Sequence, residues 1–169
     1  MTYYTDPELA KALVAYIKQA TGYTVIRSFQ PTTQGVPDKP VIIYHKVSDH
    51  RHGSPLRKQV WNETKGAYDN TTIQVYETTY QIGAISSSDY LSDMVNNVSM
   101  LMADEAAINH FKALDIGILR VQDVRNPYLS NDKDQFHASP SFDLVLTYKR
   151  ATVSVTPEIN TYEYRVGRV

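Results

Sequence analysis
The chain has 169 residues, 42% hydrophobic and 21% charged, with 17 Lys and Arg against 18 Asp and Glu for a net charge of −1. That length suits one domain with a real core, and the near-zero balance argues against a protein whose main task is to grip phosphate backbones. With no cysteine, structural disulfides, thiolate metal sites and cysteine nucleophiles are excluded, while 13 Tyr against 4 Phe point to half-buried strands and protein interfaces.

In chain order, the first residues lack the basic start and apolar run of a secretory signal. No apolar run is long enough to cross a bilayer, so synthesis in the cytoplasm is the expectation. Thr5 and Glu8 stand at capping-box spacing, and Asp6-Pro7 offers an alternative cap with Pro at the first helical position. Leu9, Leu13, Tyr16, Ile17 and Ala20 then form one apolar stripe, and Gly22 supplies the stop, which predicts a helix. A short strand is predicted over Tyr23–Phe29. A loop follows over Gln30–Pro40, where Pro31, Pro37 and Pro40 remove ladder donors. Val41–Val47 reads as a second strand. From Ser48 to Asn70 the pattern fails, and a long, partly stranded excursion is expected, a hairpin standing off the body.

Thr71–Ile85 reads as a long strand with Tyr76, Thr78, Tyr80, Ile82 and Ala84 on one face. Ser86 and Asp89, at capping-box spacing, precede the cleanest helical stripe: Leu91, Met94, Val95, Val98, Leu101 and Met102. Asp104 is placed to cap a shorter helix carrying Ala107, Ile108, Phe111 and Leu114, which should end before Gly117. Ile118–Arg125 predicts a strand, followed by a polar loop holding Asn126-Pro127 and Asn131-Asp132-Lys133-Asp134. Ser141–Tyr148 alternates cleanly, with Phe142, Leu144, Leu146 and Tyr148 on one face and Asp143 and Thr147 on the other. Beyond Arg150 the chain alternates at Val153 and Val155, breaks at Pro157 and resumes at Tyr162, Tyr164 and Val166.

Helices and antiparallel hairpins segregated in this way imply an α+β fold. One mostly antiparallel β-sheet is expected, with two or three helices packed on one face, a long hairpin excursion and an extended C-terminal tail. Met1–Arg150 should form a single domain from which Ser48–Asn70 projects, and Ala151–Val169 an extended arm or a hairpin. Leu91, Val95, Val98 and Met102 should pack under the sheet against Phe142, Leu144 and Leu146.

Chemistry is sparse. His50 and His52 would share a strand face, but a third metal ligand at the right spacing is missing and a solvated loop explains them. Asn131, Asp132 and Asp134 lack the glycine and distal glutamate of a calcium loop. No nucleophile elbow, P-loop or dinucleotide fingerprint is present, so no enzyme, cofactor or metal is expected. Arg51, His52, Arg57 and Lys58 make the one local basic patch. The bland account is a hydrated hairpin tip; the functional one is contact with DNA or with an acidic partner surface.

Some of these features together resemble the tail-terminator and neck (head–tail joining) proteins of tailed bacteriophages. They are Gln30-Pro31 after the first strand, the capped helix Asp89–Ala103, and Gly117-Ile118-Leu119-Arg120-Val121 with Val124-Arg125-Asn126-Pro127. The run Phe136–Tyr148, with Ser141-Phe142-Asp143-Leu144, completes the set. The likeness covers Asp6–Lys149 as an order of elements; the excursion and the tail after Arg150 depart from it. It implies a structural virion protein, assembled in the host cytoplasm, whose α+β subunits close a ring, usually hexameric, at the head-proximal end of the tail tube. A tail terminator is the first reading, a head-completion or gateway neck protein the alternative, and a small nucleic-acid-binding module the third. The implied partners are further copies of the chain, the tail tube protein and neck or portal-proximal proteins. DNA passes only as cargo through the lumen, and no membrane is involved. Candidate interface residues are Arg51, His52, Arg57, Lys58, Trp61, Tyr162, Tyr164 and Val166.

Overall fold
The computed structural model describes residues 2–28, 39–86, 91–130 and 136–157. Helix α1 (Asp6–Thr21) starts at Thr5, whose backbone N–H and hydroxyl both donate to the Glu8 carboxylate, at 2.8 and 2.7 Å. Asp6 and Pro7 sit inside the first turn, where a missing N–H leaves nothing unpaired. At the other end Gly22, at φ 71°, donates its N–H to the Lys18 carbonyl at 2.9 Å. A residue without Cβ enters that left-handed conformation freely.

The strands are β1 (Val25–Arg27), β2 (Val41–Asn62), β3 (Ala67–Ile85), β4 (Gly117–Val121), β5 (Tyr128–Ser130), β6 (Phe136–Ala138) and β7 (Ser141–Pro157). Five of them form one sheet in the order β1-β2-β3-β7-β4, and β5 pairs with β6 alone. Within the main sheet β1 runs parallel to β2 and every other pairing is antiparallel. Helices α2 (Leu91–Ala103) and α3 (Glu105–Ala113) join α1 on one face. One buried cluster gathers Leu9, Leu13 and Ile17 of α1, Leu91, Val95, Val98 and Met102 of α2, Tyr80 and Ile82 of β3, and Phe142, Leu144, Leu146 and Tyr148 of β7. Each such aliphatic or aromatic side chain contributes roughly 1.5–3 kcal/mol of burial.

Several elements differ from the sequence expectation, each for a physical reason. β2 is one strand of 22 residues that runs from Val41 to Asn62, so the strand expected over Val41–Val47 continues without a break into the expected excursion. A register shift at Val47 resets its side-chain parity, since Lys46 pairs with Tyr80 and Ser48 with Thr79. A bulge at Gly53-Ser54-Pro55 interrupts the alternation without changing parity, since His52 pairs with Val75 and Leu56 with Ile73. β7 does not stop at Tyr148 but pairs with β3 out to Pro157, opposite Ala67. The Ile118–Arg125 strand ends at Val121, with Arg125 kept beside Ser141 as an isolated bridge. The loop beyond it holds the β5–β6 pair. Helix α3 ends before Gly117 as expected, and Asp115 follows it at φ 59°; Asp tolerates the left-handed region better than most residues. On α3, Ala107 and Phe111 are buried while Ile108 is exposed. The loop residues Gln30–Asp38, the proposed cap at Asp89 and the acidic run Asn131–Asp134 lie outside the described residues.

Candidate functional site: a two-faced β-blade
Beyond Lys46, Tyr76 and Tyr148 the sheet leaves the core. From Val47 to Val75 and from Lys149 to Thr156, Ala67 is the one buried residue among the described residues. The distal parts of β2, β3 and β7 thus form a three-stranded blade. Its tip is the turn Glu63–Gly66, where the Lys65 N–H donates to the Asn62 carbonyl at 3.1 Å and Gly66 takes φ 56°. Asn62 Nδ2 and Lys65 Nζ both donate to the Asp69 carboxylate at 2.8 Å, which holds that carboxyl below its ordinary range. Trp61 lies edge-on to Tyr68 across the strands, ring centroids 4.9 Å apart, and stays 40% exposed.

The bulge is stitched by Gln74. Its side-chain amide donates to the carbonyls of His52 at 2.8 Å and Gly53 at 3.2 Å, groups that the register shift removes from the ladder. Gly53 sits at φ 67°.

At the root, Asp6 ties the helix start to the sheet. Lys46 Nζ lies 2.9 Å from Asp6 Oδ2 and also pairs with Asp49, while the Tyr148 hydroxyl donates to Asp6 Oδ1 at 3.1 Å. The buried Thr78 hydroxyl donates to Asp49. Burial pushes the Asp6 carboxyl upward, but the hydrogen bond and charge of Lys46, with help from Tyr148, outweigh it and leave its pKa lowered. The Arg150 guanidinium lies 3.5 Å from Asp6 Oδ1 and 5.4 Å over the Tyr76 ring. With Arg51, Tyr4 and Gln74 these two residues line a polar recess of about 460 Å³ at the base of the blade.

Register assigns the faces, because residues directly opposite in a ladder point the same way. Arg51 pairs with Tyr76, and Arg57 with Thr72, on the side that carries the helices farther down the sheet. His52 and Lys58 pair with Val75 and Thr71 on the outer side, and His52 Nδ1 lies 2.9 Å from Glu77 Oε1. The pleat therefore divides the basic cluster that looks continuous in sequence. Trp61 sits at the tip on the helix side, opposite Tyr68. Tyr162, Tyr164 and Val166 lie outside the described residues.

Sequence reasoning missed the outer-face residues Leu56, Val60 and Ile73. The signal was present as Leu56-Lys58-Val60 at period two, but the bulge broke its continuity with the preceding strand. Among the described residues no group of three or more His, Cys, Asp or Glu is placed to hold a metal, and no helix is long and apolar enough to cross a membrane. The blade presents two solvent-facing surfaces on a three-stranded, paired support.

No curated protein matches the chain significantly. A family model described as E217 gateway protein gp29 matches residues 7–158, a span that takes in α2, α3 and the whole blade. The chain therefore belongs to the E217 gateway protein gp29 family, structural proteins that join head to tail in the phage neck.

Proposed function
We propose that this protein assembles into a closed ring at the gateway station of the neck, with DNA passing through the lumen as cargo and the blade at the contact between subunits. The observation that carries this reading is the family match over residues 7–158, which covers body and blade alike. The tail terminator, placed first by resemblance, rests on that resemblance alone. Physical chemistry supports a conduit: a net charge of −1 per subunit gives repeated copies no multivalent grip on the phosphate backbone. Closed cyclic rings use heterologous contacts, one patch meeting a different patch on the neighbour.

In this reading Arg51, His52, Arg57, Lys58 and Trp61 meet a neighbouring subunit or neck partner. The stretch holding Tyr162, Tyr164 and Val166 is a candidate contact with a neighbour, with the tail tube protein or with a portal-proximal protein. The division into a body to Arg150, a projecting hairpin and a C-terminal arm belongs to the same proposal, as do the virion as the site of action and the absence of catalysis. Mass photometry and negative-stain imaging of the purified protein test it, with closed rings of one size as the expected result. A chain that stays monomeric at every concentration reached would reject the ring. Retention of duplex DNA that persists into high salt would support the nucleic-acid-binding module in its place.

A further inference from the structure
The blade exposes apolar side chains on the face of the sheet that the helices do not cover. In the body, Tyr80 and Leu144 face the helices and are buried, while Gln81 and Asp143 point outward. Farther along the same strands the residues in phase with Tyr80 include Asn70 and Thr72 with Arg57 opposite, and end at the tip in the exposed Trp61–Tyr68 pair. Those in phase with Gln81 turn apolar: Ile73 on β3, Leu56 and Val60 on β2, Val153 and Val155 on β7. β3 and β7 pair without a register shift, so these residues share the outer face along the whole length of the two strands. Leu56 and Val153 are 63% exposed, Val60 50% and Val155 52%. An apolar stripe across three strands, on the side the protein's own helices do not cover, marks an interaction surface.

We propose that this outer face is covered by a second copy of the chain, seated on the shoulder between that copy's α2 and α3 at Met100, Leu101 and Ile108. The inference rests on the ring reading and names its contact. A cyclic ring needs two different patches on every subunit. Away from the blade, the shoulder supplies the second: Met100 is 73% exposed, Ile108 43%, and Met100, Leu101, Ala103 and Asp104 line an open groove of about 470 Å³. Charge agrees with the match: Lys58 stands among the apolar residues of the blade, Asp69 between Val60 and Val155 is already paired with Asn62 and Lys65, and Asp104 lines the groove with Glu105 next to it in the chain. Three strands about 4.8 Å apart and about six residues long present roughly 300 Å². That is well under the roughly 800 Å² per partner of a stable isolated pair, so the outer face is one part of the contact between neighbours.

The absence of cysteine makes the test clean. In full-length protein under mild oxidation, Val60→Cys combined with Met100→Cys, and separately Val155→Cys with Ile108→Cys, should give ladders of covalent multimers ending at the ring size. Each single variant should stay uncrosslinked. Dimers from Val60→Cys alone would place blade against blade and overturn the seating. The non-covalent counterpart is the pair Leu56→Glu and Val153→Glu, which stand opposite Ile73 and Thr71 and not opposite Asp69, and which should melt like the parent but remain monomeric. Rings that survive this change, or parent rings in which neither cysteine pair crosslinks, overturn the seating and leave the ring intact. A parent protein that never assembles overturns the ring and the seating with it.

Discussion
At Gly83 a Cβ would stand 2.9 Å from the Pro140 carbonyl oxygen, a backbone atom that also accepts from the Ala84 N–H and cannot swing aside. Gly83→Ala should therefore cost about 1–3 kcal/mol in urea unfolding; a variant as stable as the parent would mean that the chain parts there without strain. Leu144 is fully buried between sheet and helices. Leu144→Asp places an unpaired charge there and should cost more than about 4 kcal/mol, seen as loss of a cooperative melt. Asp6 governs the acid limb. Its carboxyl is held lower in the fold than in the unfolded chain. Its contribution is thus complete above the ordinary carboxylate range and fades as pH falls through the folded value, below about pH 4. Because Asp6 is partly exposed, that contribution is no more than about 1 kcal/mol. Asp6→Asn should lower the melting temperature slightly at neutral pH and flatten its decline on acidification. Parallel acid limbs in the two proteins would remove Asp6 from the account.

Elements that face the core were legible in sequence because burial imposes a period. Apart from Ala20, which is exposed, and Leu101, which is half-buried, the stripes of α1 and α2 match a buried face, as does the Phe142, Leu144, Leu146 and Tyr148 side of Ser141–Tyr148. The rest was hidden wherever burial was absent or parity was reset. Ile108 sits one position off the buried Ala107 and Phe111, close enough to pass for part of the same stripe. β7 looked complete at Tyr148 because Val153 and Val155 alternate against no core. The basic cluster was visible as residues, but its division into Arg51 and Arg57 on one face and His52 and Lys58 on the other follows only once the segment is known to be a continuous strand. The bulge at Gly53-Ser54-Pro55 is itself testable. Gln74→Ala removes the donors to the His52 and Gly53 carbonyls, both near the surface where water can replace them. Global stability should change by less than about 1 kcal/mol. Amide exchange should nevertheless accelerate locally across residues 52–56 and 73–75. Unchanged exchange would show that the ladder, not the Gln74 side chain, holds the bulge.

For the whole molecule, the decisive point is how little the body depends on its blade. The core cluster draws on no residue between Val47 and Val75 except those packed at its margin, and the blade beyond its root buries Ala67 alone among the described residues. His52 and Val75 lie directly opposite each other, so the chain can be closed there without changing register. Replacing Gly53–Gln74 with an Asn-Gly turn supplies the left-handed conformations that a two-residue hairpin needs. The shortened chain should fold cooperatively, with a melting temperature within about 5 °C of the parent, since nearly all buried apolar area is retained. It should also fail to assemble, because Leu56, Val60 and Ile73 are gone and Val153 and Val155 have lost the strand that displays them. Circular dichroism on heating and mass photometry read the two outcomes separately. A shortened chain that cannot fold would make Trp61, Tyr68 and the blade part of the folding unit. One that folds and still closes rings would move the assembly surface elsewhere on the body.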